Sequence, residues 1–174
     1  PPALPATTFS ASTATTFVAA RSTVKVSVTG LGAQERFCVD GPDVLPGQAD
    51  ADGKATITFT APSETGRYPL LITGSRAQRT GAVDIRTLAA KKLTTNVRSA
   101  SIKRGATQHF AIRGLASGES VSVYLDGRKI RSGTASSTGS FTGTFTNGVT
   151  GRRTLKSVGQ FANRNGSVSF TVTK

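Results

Sequence analysis

Tryptophan and methionine are absent from this 174-residue chain, and cysteine and histidine occur once each, as Cys38 and His109. A single cysteine excludes an internal disulfide and is compatible with any redox compartment. One histidine and one cysteine far apart in sequence do not make a zinc cluster. A Ser-His-Asp site would have to use His109, yet the chain carries no Gly-x-Ser-x-Gly elbow. His109 sits beside Phe110 in TQHFAI, where it is expected to point outward from a strand. No apolar run approaches the ~18 residues of a membrane span. Convincing helical patterns are also missing, and with them any phosphate-binding glycine loop at a helix start. The expectation is therefore no catalytic residue, no metal, no cofactor, no small-molecule substrate and no membrane insertion.

What is there is β-branched residue and turn former: 19 glycines, abundant Thr and Ser, and 36% hydrophobic residues. That mixture predicts many short strands. A polar, basic chain could instead be disordered, but regular alternation argues against it. Val24, Val26 and Val28 alternate with Lys25, Ser27 and Thr29, and the same period of two recurs at Phe110/Ile112, Val121/Val123/Leu125 and Val168/Phe170/Val172. Asp40-Gly41, Asp52-Gly53, Asp126-Gly127, Asn147-Gly148 and Asn165-Gly166 fall between such runs and read as turns.

The chain is written twice. VSVTGLG (26–32) matches FAIRGLA (110–116), DGKATITF (52–59) matches TGSFTGTF (138–145), TGRYPLLITG (65–74) matches TGRRTLKSVG (150–159), and TGAVDIRT (80–87) matches NGSVSFTV (165–172). The offsets are 84, 86, 85 and 85. Two modules, 1–88 and 89–174, are expected, joined at LAAKKL (88–93), a link short enough to restrict their freedom. About seven strands per module, each with one dry face, predict two antiparallel sheets packed face to face.

DGKATITFTAP followed by GRYPLLITG resembles the bacterial immunoglobulin-like modules found in tandem on secreted and cell-surface proteins. The resemblance implies an all-β pair of disulfide-free sandwiches. It also implies adhesion, spacing or assembly through protein contacts rather than catalysis, by analogy of fold.

Charge separates the two copies. Residues 1–88 hold 8 Lys/Arg against 7 Asp/Glu, net +1; residues 89–174 hold 14 against 2, net +12. Solubility does not require that asymmetry, and a surface of one sign attracts polyanions. The cations cluster as Arg128, Lys129 and Arg131 on a hairpin, Arg152 and Arg153 after Asn147-Gly148, Lys103 and Arg104 before a strand, and Arg164 at the last turn. These are the candidate contacts to an anionic partner: an acidic protein, DNA or an acidic surface polymer. The first copy's counterpart of the hairpin, VDGPDVLPG, has two aspartates and no cation, so hairpin geometry does not demand the charge.

Other features carry less. A free cysteine is ordinarily a buried small hydrophobe. Yet ERFCV aligns with ESVSV, and the inward phase belongs to Phe37 and Val39, which would leave Cys38 as an exposed thiol open to pairing or cover. DADG (50–53) starts like a calcium loop, but its twelfth position is Ala61, so a plain turn is expected. LPATT (4–8) resembles a sortase signal at the wrong end, without the required glycine. Asn165-Gly166-Ser167 matches a glycosylation acceptor but is read as a turn. Pro1 is no translation start, and the Pro/Ala/Thr opening has the composition of a segment following a removed secretion signal; a secreted or surface protein of a high-GC bacterium is expected. Residues 1–15 could add as a strand to a neighbouring copy, or form the first strand of their own module.

Overall fold

A computed structural model describes residues 9–76 and 79–174. The chain divides into two compact units, the first ending at Ala89 and the second spanning Ala90–Lys174.

The first unit contains β1 (Ser10–Thr13), β2 (Phe17–Ala19), β3 (Thr23–Thr29), β4 (Arg36–Asp40), β5 (Leu45–Gln48), β6 (Ala55–Thr60), β7 (Gly66–Gly74) and β8 (Thr80–Leu88). They form a three-stranded sheet, β1-β3-β6, and a five-stranded sheet, β2-β8-β7-β4-β5. The alternation of β3 is the cause of its place: Val24, Val26 and Val28 are buried while the intervening residues face water. They meet Phe37 and Val39 of β4 and Leu70 and Ile72 of β7 in one apolar core.

The second unit repeats this plan with β9 (Lys91–Lys92), β10 (Thr94–Val97), β11 (Ser101–Lys103), β12 (Thr107–Arg113), β13 (Ser120–Leu125), β14 (Arg128–Thr134), β15 (Ser140–Thr146), β16 (Gly151–Val158) and β17 (Arg164–Thr173). One sheet is β10-β12-β15; the other is β11-β17-β16-β13-β14, with β9 also on β17. The sheets meet through Phe145 of β15 and Phe170 of β17, whose rings stand edge to face at 5.7 Å. Between them a buried hydrogen bond, 2.5 Å long, joins the hydroxyls of Thr95 and Ser157, so neither polar group is stranded in the apolar layer. The fold class is all-β, two immunoglobulin-like sandwiches in tandem.

Three details differ from the sequence reading. Among the described residues the units have eight and nine strands rather than about seven, because short edge strands escape a period-two count. Not every pairing is antiparallel: β2 runs parallel to β8, and both β9 and β11 run parallel to β17. Asn165-Gly166 is no turn. Both residues lie inside β17, opposite Val158 and Ser157. The chain reverses just before them, where Gly159 N–H donates to Arg164 O (2.7 Å) and Arg164 N–H to Phe161 O (2.9 Å). Gly166 is needed for close packing instead: a Cβ there would collide with the Leu93 carbonyl and stand 2.8 Å from Thr95 Oγ1.

The proposed opening strand, residues 1–15, falls partly outside the described residues, and the LPATT motif (4–8) lies wholly outside them. The described part, β1, pairs with β3 of its own unit, Ser10 opposite Thr29 and Thr13 opposite Val26.

Candidate functional site

Asp126 and Gly127 turn the β13–β14 hairpin with φ of 48° and 85°, the left-handed pair that a two-residue type I′ turn requires. The three cations that follow do not form one cluster. Opposed residues in an antiparallel pair share a face. Lys129 opposes Tyr124, on the outer face, and its Nζ lies 5.8 Å from the centre of the Tyr124 ring. The register then slips between Val123 and Tyr124, leaving Ile130 packed against the core. Arg131 therefore opposes buried Val123, and its Nε and Nη2 donate to the Thr144 carbonyl of β15 at 3.2 and 3.1 Å. It bridges the two sheets. Arg128 stays exposed at the tip.

Arg152 and Arg153 also part company. Arg152 is exposed on β16. Arg153 is half-buried: its Nη1 pairs with Asp126 Oδ2 at 3.1 Å, and its other nitrogens donate to the carbonyls of Val149 and Thr150. Lys103 is exposed at the end of β11, and exposed Arg104 begins the following turn. A cation absent from the sequence-based set joins the face: Lys156, exposed on β16, opposes Tyr124 on the side away from Lys129. The order Lys129–Tyr124–Lys156–Ser167 crosses four strands.

Arg164 requires a correction. It is not a surface cation at a turn but the first residue of β17, 1% exposed. Its Nε donates to Glu119 Oε1 at 2.6 Å and its Nη2 to Oε2 at 2.8 Å. Glu119 takes further hydrogen bonds from the amides of Ala116 and Gln160. Burial by itself would raise the Glu119 pKa; the Arg164 hydrogen bond, the Ala116 and Gln160 amides and the guanidinium charge outweigh it and hold the carboxyl below the usual range. The first unit repeats the device 84 residues earlier. Glu35 accepts from the Gly32 and Arg76 amides and pairs with Arg79 Nε at 3.4 Å. There too burial pushes the carboxyl pKa up, and the two amides with Arg79 and Arg76 bring it below the usual range. Both pairs are fold elements, and Arg164 is unavailable to any partner.

With Glu119 buried and Asp126 bound to Arg153 and to the Thr154 amide, both carboxylates of residues 89–174 are engaged internally. Asp126 is the unit's one exposed acidic side chain and it is ion-paired, so the exposed charge left without a partner carboxylate on the second unit is cationic.

Cys38 is exposed on β4, as the strand phase requires. His109 is exposed on β12. Asp50 is a turn residue: its Oδ1 accepts from the Asp52 and Lys54 amides, both at 2.9 Å. Among the described residues no three metal-ligating side chains come together, and no helix is long and apolar enough to cross a membrane.

No protein-family model and no curated protein matches the chain. Solved structures do. The human OSCAR ligand-binding domain is similar at a TM-score of 0.52 and 12% identity, over 94% of this chain and 97% of that one. The adhesin InvE of Yersinia pseudotuberculosis follows at 0.43 and 14% identity, covering 97% of this chain and 61% of its own. Red sea bream transglutaminase scores 0.41 at 12% identity; this chain is covered over 98% of its length but spans only 32% of the enzyme. At 12% identity the likeness to the OSCAR domain is one of fold, and it matches the immunoglobulin-like architecture built above.

Proposed function

We propose that the chain is a non-catalytic adhesive or structural module of a secreted or cell-surface protein, acting by contact with a partner protein. The observation that carries this reading is the unequal treatment of two copies of one fold. The first unit is near neutral, whereas the second spends both its carboxylates internally and leaves Lys129, Lys156, Arg152 and Lys103 exposed. Identical folding requirements do not call for that difference; a partner does.

The test is a photoreactive residue at position 156, irradiated on the native cell surface. One discrete protein adduct, lost when Arg152 is reversed to Glu, supports the reading. No adduct, or one indifferent to that reversal, removes it.

The absence of any unengaged carboxylate on the second unit also favours a second reading, attachment to a polyanion such as DNA or an acidic surface polymer. Against sequence-specific nucleic-acid reading, Phe110, Phe145 and Phe170 are buried in the core and cannot stack bases. Binding of duplex DNA across a salt series, with Arg152 and Lys156 reversed in charge, separates the two readings.

A further inference from the structure

The opposite face of the second unit, formed by β10, β12 and β15, holds a different arrangement. Arg98 follows β10 directly, and its N–H donates to the His109 carbonyl at 2.9 Å, so these two side chains stand side by side. Asn96 opposes Ala111, and Thr94 opposes Arg113. On the far side His109 opposes Thr144, Ala111 opposes Thr142 and Arg113 opposes Ser140. The buried alternates Phe110 and Ile112 place His109, Ala111 and Arg113 together on the outside.

At the centre of this three-by-three block is the smallest side chain, Ala111, half-buried. Two exposed arginines flank it from opposite ends, with His109 and Asn96 beside it. The depression is a cavity of about 280 Å³ lined by Asn96, Val97, Arg98, His109, Phe110, Ala111 and Arg113. No carboxylate lines it, and the unit's two carboxylates are engaged elsewhere.

The first unit shows that the fold does not require this set. At an offset of 84, Ala14, Ser12, Lys25, Ser27 and Thr29 stand where Arg98, Asn96, His109, Ala111 and Arg113 stand in the second. Both arginines and the alanine floor are particular to one copy.

The geometry points to a binding site for a carboxylate-bearing sugar. Guanidinium groups are planar forks that match a carboxylate in two parallel hydrogen bonds. The Asn96 amide and the hydroxyls of Thr94, Thr142 and Thr144 supply donors and acceptors for sugar hydroxyls, while the Ala111 methyl meets a carbon face. A shallow polar hollow of this volume suits one charged ring of an extended chain better than a cylinder of duplex DNA, which presents a charge per ~1.7 Å of axis. The site goes beyond the contact face proposed above and shares no residue with it.

The test uses the full chain and an oligogalacturonate, its methyl-esterified neutral counterpart, and a polyglutamate peptide, with backbone amide NMR shifts as readout. Shifts centred on residues 96–98 and 109–113 with the oligogalacturonate alone are expected. Arg98→Ala and Arg113→Ala should each weaken binding about tenfold, while Arg152→Ala and Lys156→Ala leave it unchanged. Ala111→Leu should fill the hollow and abolish binding; an unchanged melting temperature would confirm that it folds. Equal response to polyglutamate, dependence on Arg152 and Lys156 instead, or no shifts at all would each overturn the proposal. Loss of the protein or DNA contact at β16 would leave it standing.

Discussion

Glu119 and Arg164, 45 residues apart, form a doubly hydrogen-bonded ion pair with almost no exposure to water, at 2.6 and 2.8 Å. Removing one partner would strand the other's charge in the interior, at a cost of about 3–5 kcal/mol. Glu119→Ala and Arg164→Ala should therefore each lower the stability of the second unit by that amount in chemical denaturation. The combined Glu119→Leu/Arg164→Met chain should lose less than either single variant. Additive losses would contradict this account.

The same pair sets a pH dependence. A carboxyl whose folded pKa lies below its unfolded value stabilises the fold above the unfolded value, about 4.3 for Glu. That contribution is lost as pH falls through the folded value. Thermal melts should thus be flat near neutral pH and decline below about pH 4.3, with Glu119→Gln losing the Glu119 share of that decline. An unchanged acid slope in Glu119→Gln would place the effect elsewhere.

Gln34 and Gly118 occupy equivalent positions, both left-handed, with φ of 56° and 76°. The left-handed region costs a side-chain-bearing residue about 1–2 kcal/mol, partly offset by glycine's greater unfolded freedom. Gln34→Gly should stabilise the first unit by about 0.5–1 kcal/mol. Gly118→Gln should destabilise the second. Urea titrations in which Gln34→Gly destabilises or Gly118→Gln stabilises would refute the strain.

Gly166 and Gly148 give a matched contrast. Gly166→Ala drives a methyl into the Leu93 carbonyl and should cost about 1–3 kcal/mol. Gly148, with nothing within 4 Å of a built Cβ, should accept alanine within about 0.5 kcal/mol. Calorimetry of the two variants decides it.

Cys38 is exposed, so a thiol reagent should modify it fully in the native protein, at a rate insensitive to mild denaturant. Labelling that appears only on unfolding would show the thiol to be covered.

The strands and the repeat were legible because alternation and a fixed offset are properties of the chain itself. Val24, Val26 and Val28 need no tertiary information to declare their dry face, and the same phase correctly turned Cys38 outward. What escaped was settled by contacts distant in sequence. Arg164 reads as a turn cation until Glu119 is brought against it, although GLGAQE (30–35) and GLASGE (114–119) repeat the glutamate and were a visible signal. Asn165-Gly166 has turn chemistry, but the crowding by Leu93 and Thr95 that explains Gly166 is tertiary. Lys156 lies far along the chain from the hairpin cations and joins Lys129 only across Tyr124. Arg131 left the cluster because of one slipped residue.

The parallel pairings at each unit's edge bear on how the chain carries load. In the second unit β11 and β9 precede β17 and run in its direction, Ser101 to Lys103 beside Thr171 to Thr173 and Lys91 beside Arg164. In the first, Phe17 to Ala19 runs beside Arg86 to Leu88. Tension applied to the two ends of a unit pulls these neighbours past each other along their length. Their hydrogen bonds are then strained together in shear, whereas an antiparallel terminal pair would peel open one bond at a time. Each sandwich therefore resists stretching from its ends before its core is touched.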